Sequence, residues 1–120
     1  MIKAKYFSEK EFKLCFPSCS LQNMNQNTMN KLDAAREIAG IPLVINSAYR
    51  SPEWDRAKGR SGTGAHTLGR AIDIRCNTDS NRHKIVSALM KAGFTRIGIA
   101  KTYIHADDSP KHSQEIIWLY

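Results

Sequence analysis

Met29, Leu32, Ala35, Ile38 and Ala39 recur along the chain at three- and four-residue spacing. That period places them on one face of a helix, predicted from about Asn25 to Ala39. Asn27 or Thr28 is positioned to cap its start, Gly40 ends it, and Pro42 confirms the stop. Ile85, Val86, Leu89 and Met90 repeat the pattern in a later helix that Ser80 caps and Gly93 closes. A shorter helix is predicted over residues 8 to 14. There Ser8 and Glu11 stand as in a capping box, and Pro17 and Ser18 break the run.

Elsewhere the period is that of strands. Leu43 to Ala48 is rich in β-branched residues and reads as a strand. From Arg70 to Arg75, Ala71 and Asp73 point one way while Ile72 and Ile74 point the other. Phe94 to Ala100 and Tyr103 to Ala106 read as two strands joined by a tight turn at Lys101 and Thr102, and Ile116 to Tyr120 as a last strand. Residues 50 to 65 hold Pro52, Gly59, Gly62 and Gly64 among polar residues and read as a long loop with a helical turn near Trp54. Long ordered loops are often functional. The order α-α-β-loop-β-α-β-β-β predicts an α+β fold, a mostly antiparallel sheet with flanking helices, in one domain spanning residues 1–120.

Composition changes the picture in three ways. A chain of 120 residues with 42% hydrophobic residues holds one core, and a metal tying distant segments together would stabilise so small a domain. Its 18 Lys and Arg against 11 Asp and Glu leave a net charge of +7, which attracts polyanions such as nucleic acid or anionic cell-wall polymers. The basic residues are scattered and no nucleic-acid-binding signature accompanies them, so nucleic acid is not expected as a partner. Cys15, Cys19 and Cys76 are odd in number and lack a second Cys/His pair at zinc-finger spacing, so they read as small, partly buried hydrophobes. The polar start MIKAKYFSEKEF does not read as a signal peptide, and no stretch approaches the roughly 20 apolar residues of a membrane span. A monomer made in the cytoplasm, without a membrane partner, is expected.

The candidate chemistry lies in histidines and carboxylates. Of the four His, His66 ends the Gly-rich loop, just before a predicted strand that carries Asp73. His105 lies in a later strand and shares a face with Asp107. A catalytic zinc typically has three protein ligands and an open position for water. His66, Asp73 and His105 would fill those three places, and the metal would acidify its water and polarise a carbonyl. The spacing alone is a weak signal, since His-x6-Asp has no helical logic. His83, beside Arg82 and Lys84, reads as solvated, and His112 as a loop histidine.

Three blocks sharpen the picture. SAYRSPE at residues 47–53 resembles the S-G-Y-R-S-P segment of the D-alanyl-D-alanine carboxypeptidase and phage endolysin family of zinc peptidases, the M15 group. GAHTLGRAIDI at 64–74 resembles that family's S-x-H-x-x-G-x-A-x-D block, and IGIAKTYIHAD at 97–107 its closing F-I-H-x-D block. The blocks follow the family's order, and the resemblance spans roughly residues 28 to 120. It implies a hedgehog/DD-peptidase fold, with Zn2+ held by His66, Asp73 and His105. It implies that Arg50 steadies a substrate carboxylate or carbonyl oxygen, a task suited to a guanidinium. It makes Gly69 and Ala71 small positions where the chain packs against the metal strand, and Asp107 a carboxylate that orients His105 or a neighbouring strand. Tyr49 and Trp54 are expected to pack the loop.

The departures bear on catalysis. Gly64 stands where the family has a serine, which is expected to loosen the loop without removing a ligand. Many members place a proton-accepting Glu, Asp or His three residues before the last ligand; here that position is Thr102. The base is unassigned, with Asp107, Asp108 and Glu53 as candidates and Asp107 preferred. The resemblance implies hydrolysis of peptidoglycan stem peptides, at the D-Ala-D-Ala bond of a carboxypeptidase or the L-Ala-D-Glu bond of an endopeptidase. A phage or prophage lysis product delivered to the cell wall is expected. Thr102 favours the alternative, a catalytically weak or inactive zinc-binding module of the same fold that binds wall peptides.

Overall fold

In the computed structural model, which describes residues 1–120, the chain forms four helices and five strands. The helices are α1 (Glu9–Lys13), α2 (Gln26–Ala39), α3 (Pro52–Ala57) and α4 (Asp79–Ala92). The strands are β1 (Ile45–Ser47), β2 (Ala71–Arg75), β3 (Arg96–Ile99), β4 (Tyr103–Asp107) and β5 (Ile116–Leu119), with single 3-10 turns at Leu21–Asn23 and Ala65–Leu68. The α+β class with a mostly antiparallel sheet is as the pattern predicts.

Helix starts differ from the expectation in detail. Asn25, in an extended conformation, caps α2: its carboxamide oxygen accepts the N–H of Thr28 at 3.1 Å. Asn27 and Thr28 are already helical, so neither can cap. Thr78 rather than Ser80 caps α4, accepting from the N–H of Asn81 at 3.1 Å. In both cases the cap is the last extended residue before the first turn. The capping box of α1 forms as read, with the Glu11 carboxylate accepting the N–H of Ser8 at 2.6 Å. Gly40 and Gly93 end α2 and α4 with positive φ. Ile85, Ala88 and Leu89 form the buried stripe of α4, while Met90 lies at its margin, 53% exposed.

The sheet order is β1-β2-β4-β3-β5. All neighbours are antiparallel except β3 and β5, which run parallel. The last strand therefore does not continue the β3–β4 hairpin; residues 108–115 carry the chain past the sheet end so that β5 joins β3 from outside. One face is apolar: Ile72, Ile74, Ile97, Ile104 and Ala106 are buried in one cluster with Met29, Leu32 and Ala35 of α2 and Ile85, Ala88 and Leu89 of α4. Helices α2 and α4 pack on each other over that face. Cys15 and Cys76 are buried in the same core, Cys19 lies at its edge, and all three thiols are free.

Asp108, one of the candidate bases, belongs to this framework. Its carboxylate accepts from Thr28 Oγ1 at 2.6 Å and Lys31 Nζ at 3.0 Å, and it is 8% exposed. It ties α2 to the end of β4. Gly69 provides a second tie. Its φ is +70°, its carbonyl accepts the N–H of Asn25 at 2.8 Å, and a Cβ there would lie 2.3 Å from the Asn23 carbonyl oxygen.

Gly69 and Gly40 share a left-handed backbone, but a Cβ at Gly40 would meet nothing within 4 Å. Gly40→Ala is expected to cost about 1 kcal/mol, the conformational term alone. Gly69→Ala adds a backbone collision and is expected to cost about 3 kcal/mol or more. Urea unfolding of both variants checks this, and equal losses would refute the close approach at Gly69.

Candidate metal centre

The sheet face opposite the helices carries the site. Registers across all five strands align Ser47 with Asp73, Asp73 with His105, His105 with Gly98, and Gly98 with Trp118. Directly opposed residues point to the same face, so this row lies side by side on one surface. On β1 a register shift between Ile45 and Ser47 makes it possible: Ile45 pairs with core-facing Ile74, yet Ser47 pairs with Asp73. An irregularity of this kind re-aims a side chain.

His66 arrives from the 3-10 turn at Ala65–Leu68, and its ring stands 5.1 Å from that of His105. One ligand atom from each of His66, Asp73 and His105 lies within 4.8 Å of the others, and all three residues are buried. Their outer atoms are held. His66 Nδ1 donates to the Ala48 carbonyl at 2.5 Å, which turns Nε2 toward Asp73 Oδ1, 3.4 Å away. His105 Nε2 donates to Asp107 Oδ2 at 2.6 Å, which turns Nδ1 toward the same Asp73 oxygen at 2.9 Å. A backbone carbonyl behind one imidazole and a carboxylate behind the other are the usual supports of metal-ligating histidines. Two imidazole nitrogens and one carboxylate oxygen converge, so the donor chemistry fits a zinc-type ion.

The loop before α3 brings in Arg50. Its Nη2 lies 3.2 Å from Asp73 Oδ2, its Nε donates to Ser47 Oγ at 3.2 Å, and its backbone N–H donates to the His66 carbonyl at 3.2 Å. Arg50 thus both braces the loop and stands at the cluster. Asp55, 4% exposed, fixes the Gly-rich segment by accepting the N–H of Gly62 at 2.9 Å. Trp54 packs edge-on to Phe16 and lies beneath the Arg50 guanidinium, as expected of a loop-packing residue.

Burial pushes the Asp73 carboxyl up, but hydrogen bonds from His105 and His66, and their charges, outweigh it and hold Asp73 below the usual carboxylate range. Burial likewise disfavours a charged His105, yet its bonds to Asp107 and Asp73 raise its pKa. Asp107 is lowered despite burial, by His105, the Ser109 N–H and Arg96. Without a metal, the two carboxylates on either side of His105 favour its protonated form.

With these donors in place, the match to known families is decisive. A family model described as Peptidase M15 matches residues 5–107. The chain belongs to the peptidase M15 family. No curated protein gives a significant match.

For an M15 peptidase the proton acceptor is the open question, and the structure answers part of it. Thr102 sits in the exposed β3–β4 turn, where its carbonyl accepts from Cys76, so it lies at the strand end and not at the cluster. Asp107, the preferred base, is fully buried behind His105, on the ring edge away from Asp73. Its Oδ1 accepts from Arg96 Nε at 2.7 Å and from the Ser109 N–H at 3.1 Å. These contacts are those of a carboxylate that orients His105, the other role the resemblance implies. Asp108 faces α2, and Glu53 is exposed on α3 beside Arg56. His83 is exposed on α4, and His112 bonds Ser109 Oγ at 2.7 Å in its loop.

Sequence reasoning gave no role to Ser47, Arg96 or Trp118. Ser47 lies within the first motif, but its link to Arg50 depends on the β1 register shift. Arg96 and Trp118 reach the site only through strand pairing, which leaves no local signal.

Three outcomes follow for the metal. Raised His105 must lose its Nδ1 proton to ligate, whereas Asp73 stays ionised at acid pH. Zinc affinity is expected to tighten by about tenfold or more per pH unit through the ordinary histidine range and beyond it, then level off. Calorimetry across that range checks it; a flat profile would contradict a His105 ligand. Asp107→Asn, which weakens the support of His105, is expected to lower zinc affinity by about 10- to 100-fold. Asp73→Ala is expected to abolish binding, and a chelator-competition titration ranks the two.

Proposed function

We propose that this M15 member is a zinc metallopeptidase that hydrolyses peptidoglycan stem peptides. The observation that carries the reading is the convergence of His66 Nε2, Asp73 Oδ1 and His105 Nδ1 beside Arg50. His66, Asp73 and His105 would hold the zinc, which when bound would supply an acidified water and a Lewis acid. The rest is the work of the chain itself. Asp107 and the Ala48 carbonyl hold the two imidazoles in the ligating orientation. Arg50 uses part of its donor fork on Asp73 and Ser47, and its remaining N–H groups receive a substrate carboxylate or the carbonyl oxygen on which charge develops. The bond cut is D-Ala-D-Ala in a carboxypeptidase or L-Ala-D-Glu in an endopeptidase. The net charge of +7 favours approach to an anionic wall, in keeping with a lysis product of a phage or prophage. No helix is long and apolar enough to cross a membrane.

A second reading rests on a different observation. Asp107 and Asp108 are committed to other partners, and Thr102 is at the strand end. A zinc-binding module that holds wall peptides without cutting them fits that commitment of the two carboxylates next to His105 in the chain.

Purified protein analysed for metal, then incubated with peptidoglycan with and without chelator, separates the readings. One zinc per chain with chelator-sensitive products supports the peptidase, and product masses name the bond. Zinc with bound peptide and no product supports the module, and no metal after reconstitution overturns both. Arg50→Ala is expected to lower kcat/KM by about 100-fold with zinc retained, and Arg50→Lys to recover little of it, since a single ammonium lacks the fork.

A further inference from the structure

An aromatic surface adjoins the metal cluster and takes no part in the site as described so far. Trp118 of β5 stands opposite Gly98, and Gly98 stands opposite His105. Because Gly98 has no side chain, the indole lies over it. A Cβ at Gly98 would fall 2.7 Å from Trp118 Cε2 and Nε1 and from Tyr120 Cε2. Trp118 thereby brings its ring to 5.3 Å from that of His105, between centroids. Tyr120 extends the surface, 6.2 Å from Trp118 and 5.3 Å from Tyr103. Trp118 is half-buried and Tyr120 is 65% exposed, so their rings remain open to a ligand. These residues lie beyond the segment 5–107 matched by the family model.

The surrounding charges decide what such a surface accepts. The Arg96 guanidinium already lies over Trp118 at 5.2 Å, so a second cation is repelled. Arg96 gives its Nε to Asp107 and its Nη1 to the Ser113 carbonyl, each at 2.7 Å, so its charge is already compensated by a buried carboxylate and adds little attraction for an anion. An uncharged, apolar group is the one that meets no desolvated or like charge.

We propose that Trp118 and Tyr120 form the wall of the substrate cleft beside His105 and hold the apolar side chain of a residue flanking the scissile bond. The inference rests on the peptidase reading. An alanine methyl meets the requirement in either candidate bond, D-Ala-D-Ala or L-Ala-D-Glu. Trp118 and Tyr120 act as positioning and specificity residues, and Gly98 is the opening that lets them reach the cluster.

The chain has two Trp, so Trp54→Phe leaves Trp118 as the single fluorescent reporter. The zinc-loaded variant is titrated with the stem pentapeptide L-Ala-D-Glu-L-Lys-D-Ala-D-Ala and with the same peptide carrying aspartate at every alanine. Saturable fluorescence change with the alanine peptide, and affinity weaker by about tenfold or more for the aspartate peptide, are expected. Equal affinity for the two, or no saturable change with either, overturns the wall. In the otherwise native protein, Trp118→Ala is expected to raise KM by about tenfold with zinc still at one per chain, and Trp118→Phe to restore most of it. Gly98→Ala, which displaces the rings while sparing every metal ligand, is expected to act in the same direction. Turnover indifferent to Trp118→Ala removes the wall and keeps the peptidase. Peptide binding reported by Trp118 without turnover removes the peptidase and keeps the wall.

Discussion

The pairing of β2 with β4 sets Asp73 directly opposite His105, and the rest of the site is arranged around that pair. Side chains alternate along a strand, so a slip of one residue would turn either ligand into the helical core and bring an isoleucine out in its place. The slip is opposed from the other face. Ile72 and Ile74 of β2 and Ile104 and Ala106 of β4 are fully buried beneath α2 and α4. The hydrophobic core therefore fixes the register that the polar face requires.

Placing three charged groups under the surface is costly unless each finds a partner. Here the partners form a chain. Arg50 meets Asp73, Asp73 meets both imidazoles, His105 meets Asp107, and Asp107 meets Arg96. No fully buried side-chain nitrogen or oxygen is left without a hydrogen bond. The raised His105 and depressed Asp73 and Asp107 express this pairing. The network also aims the lone pairs: with Asp107 behind Nε2 of one ring and Ala48 behind Nδ1 of the other, the free nitrogens of both face Asp73. Charge compensation and metal-site preorganisation are the same set of contacts.

The loop and the last strand complete the face by different means. Asp55 bonds the backbone of Gly62 within the loop, while Arg50 reaches back to Ser47 and the His66 ring bonds the Ala48 carbonyl, so the long segment before β2 is held beside β1 at both ends. On the opposite flank, β5 adds its aromatic residues by pairing in parallel with β3. The polar cluster thus lies between a cationic loop and an aromatic strand, an arrangement suited to a peptide with both a charged end and small apolar side chains.

Local pattern and motif were enough to read several features from the sequence. The spacing of Leu32 and Ala35, and of Ile85 and Leu89, determined the helices, because a period near 3.6 fits one buried face. Alternation at Ala71 to Ile74 determined the strand and which way Asp73 points. The three motif blocks pointed to His66, Asp73 and His105, and those residues do meet. Other features were decided only in three dimensions. Whether Asp107 faces solvent or His105 depends on the pairing of β3 and β4 that brings up Arg96. Asp108 is drawn away by Thr28 and Lys31, some 80 and 77 residues distant in the chain. Trp118 reaches His105 because β5 returns beside β3 and Gly98 leaves room. A side chain's facing within one element follows from its period, but its neighbour across the sheet follows from register and strand order, which no local stretch of sequence encodes.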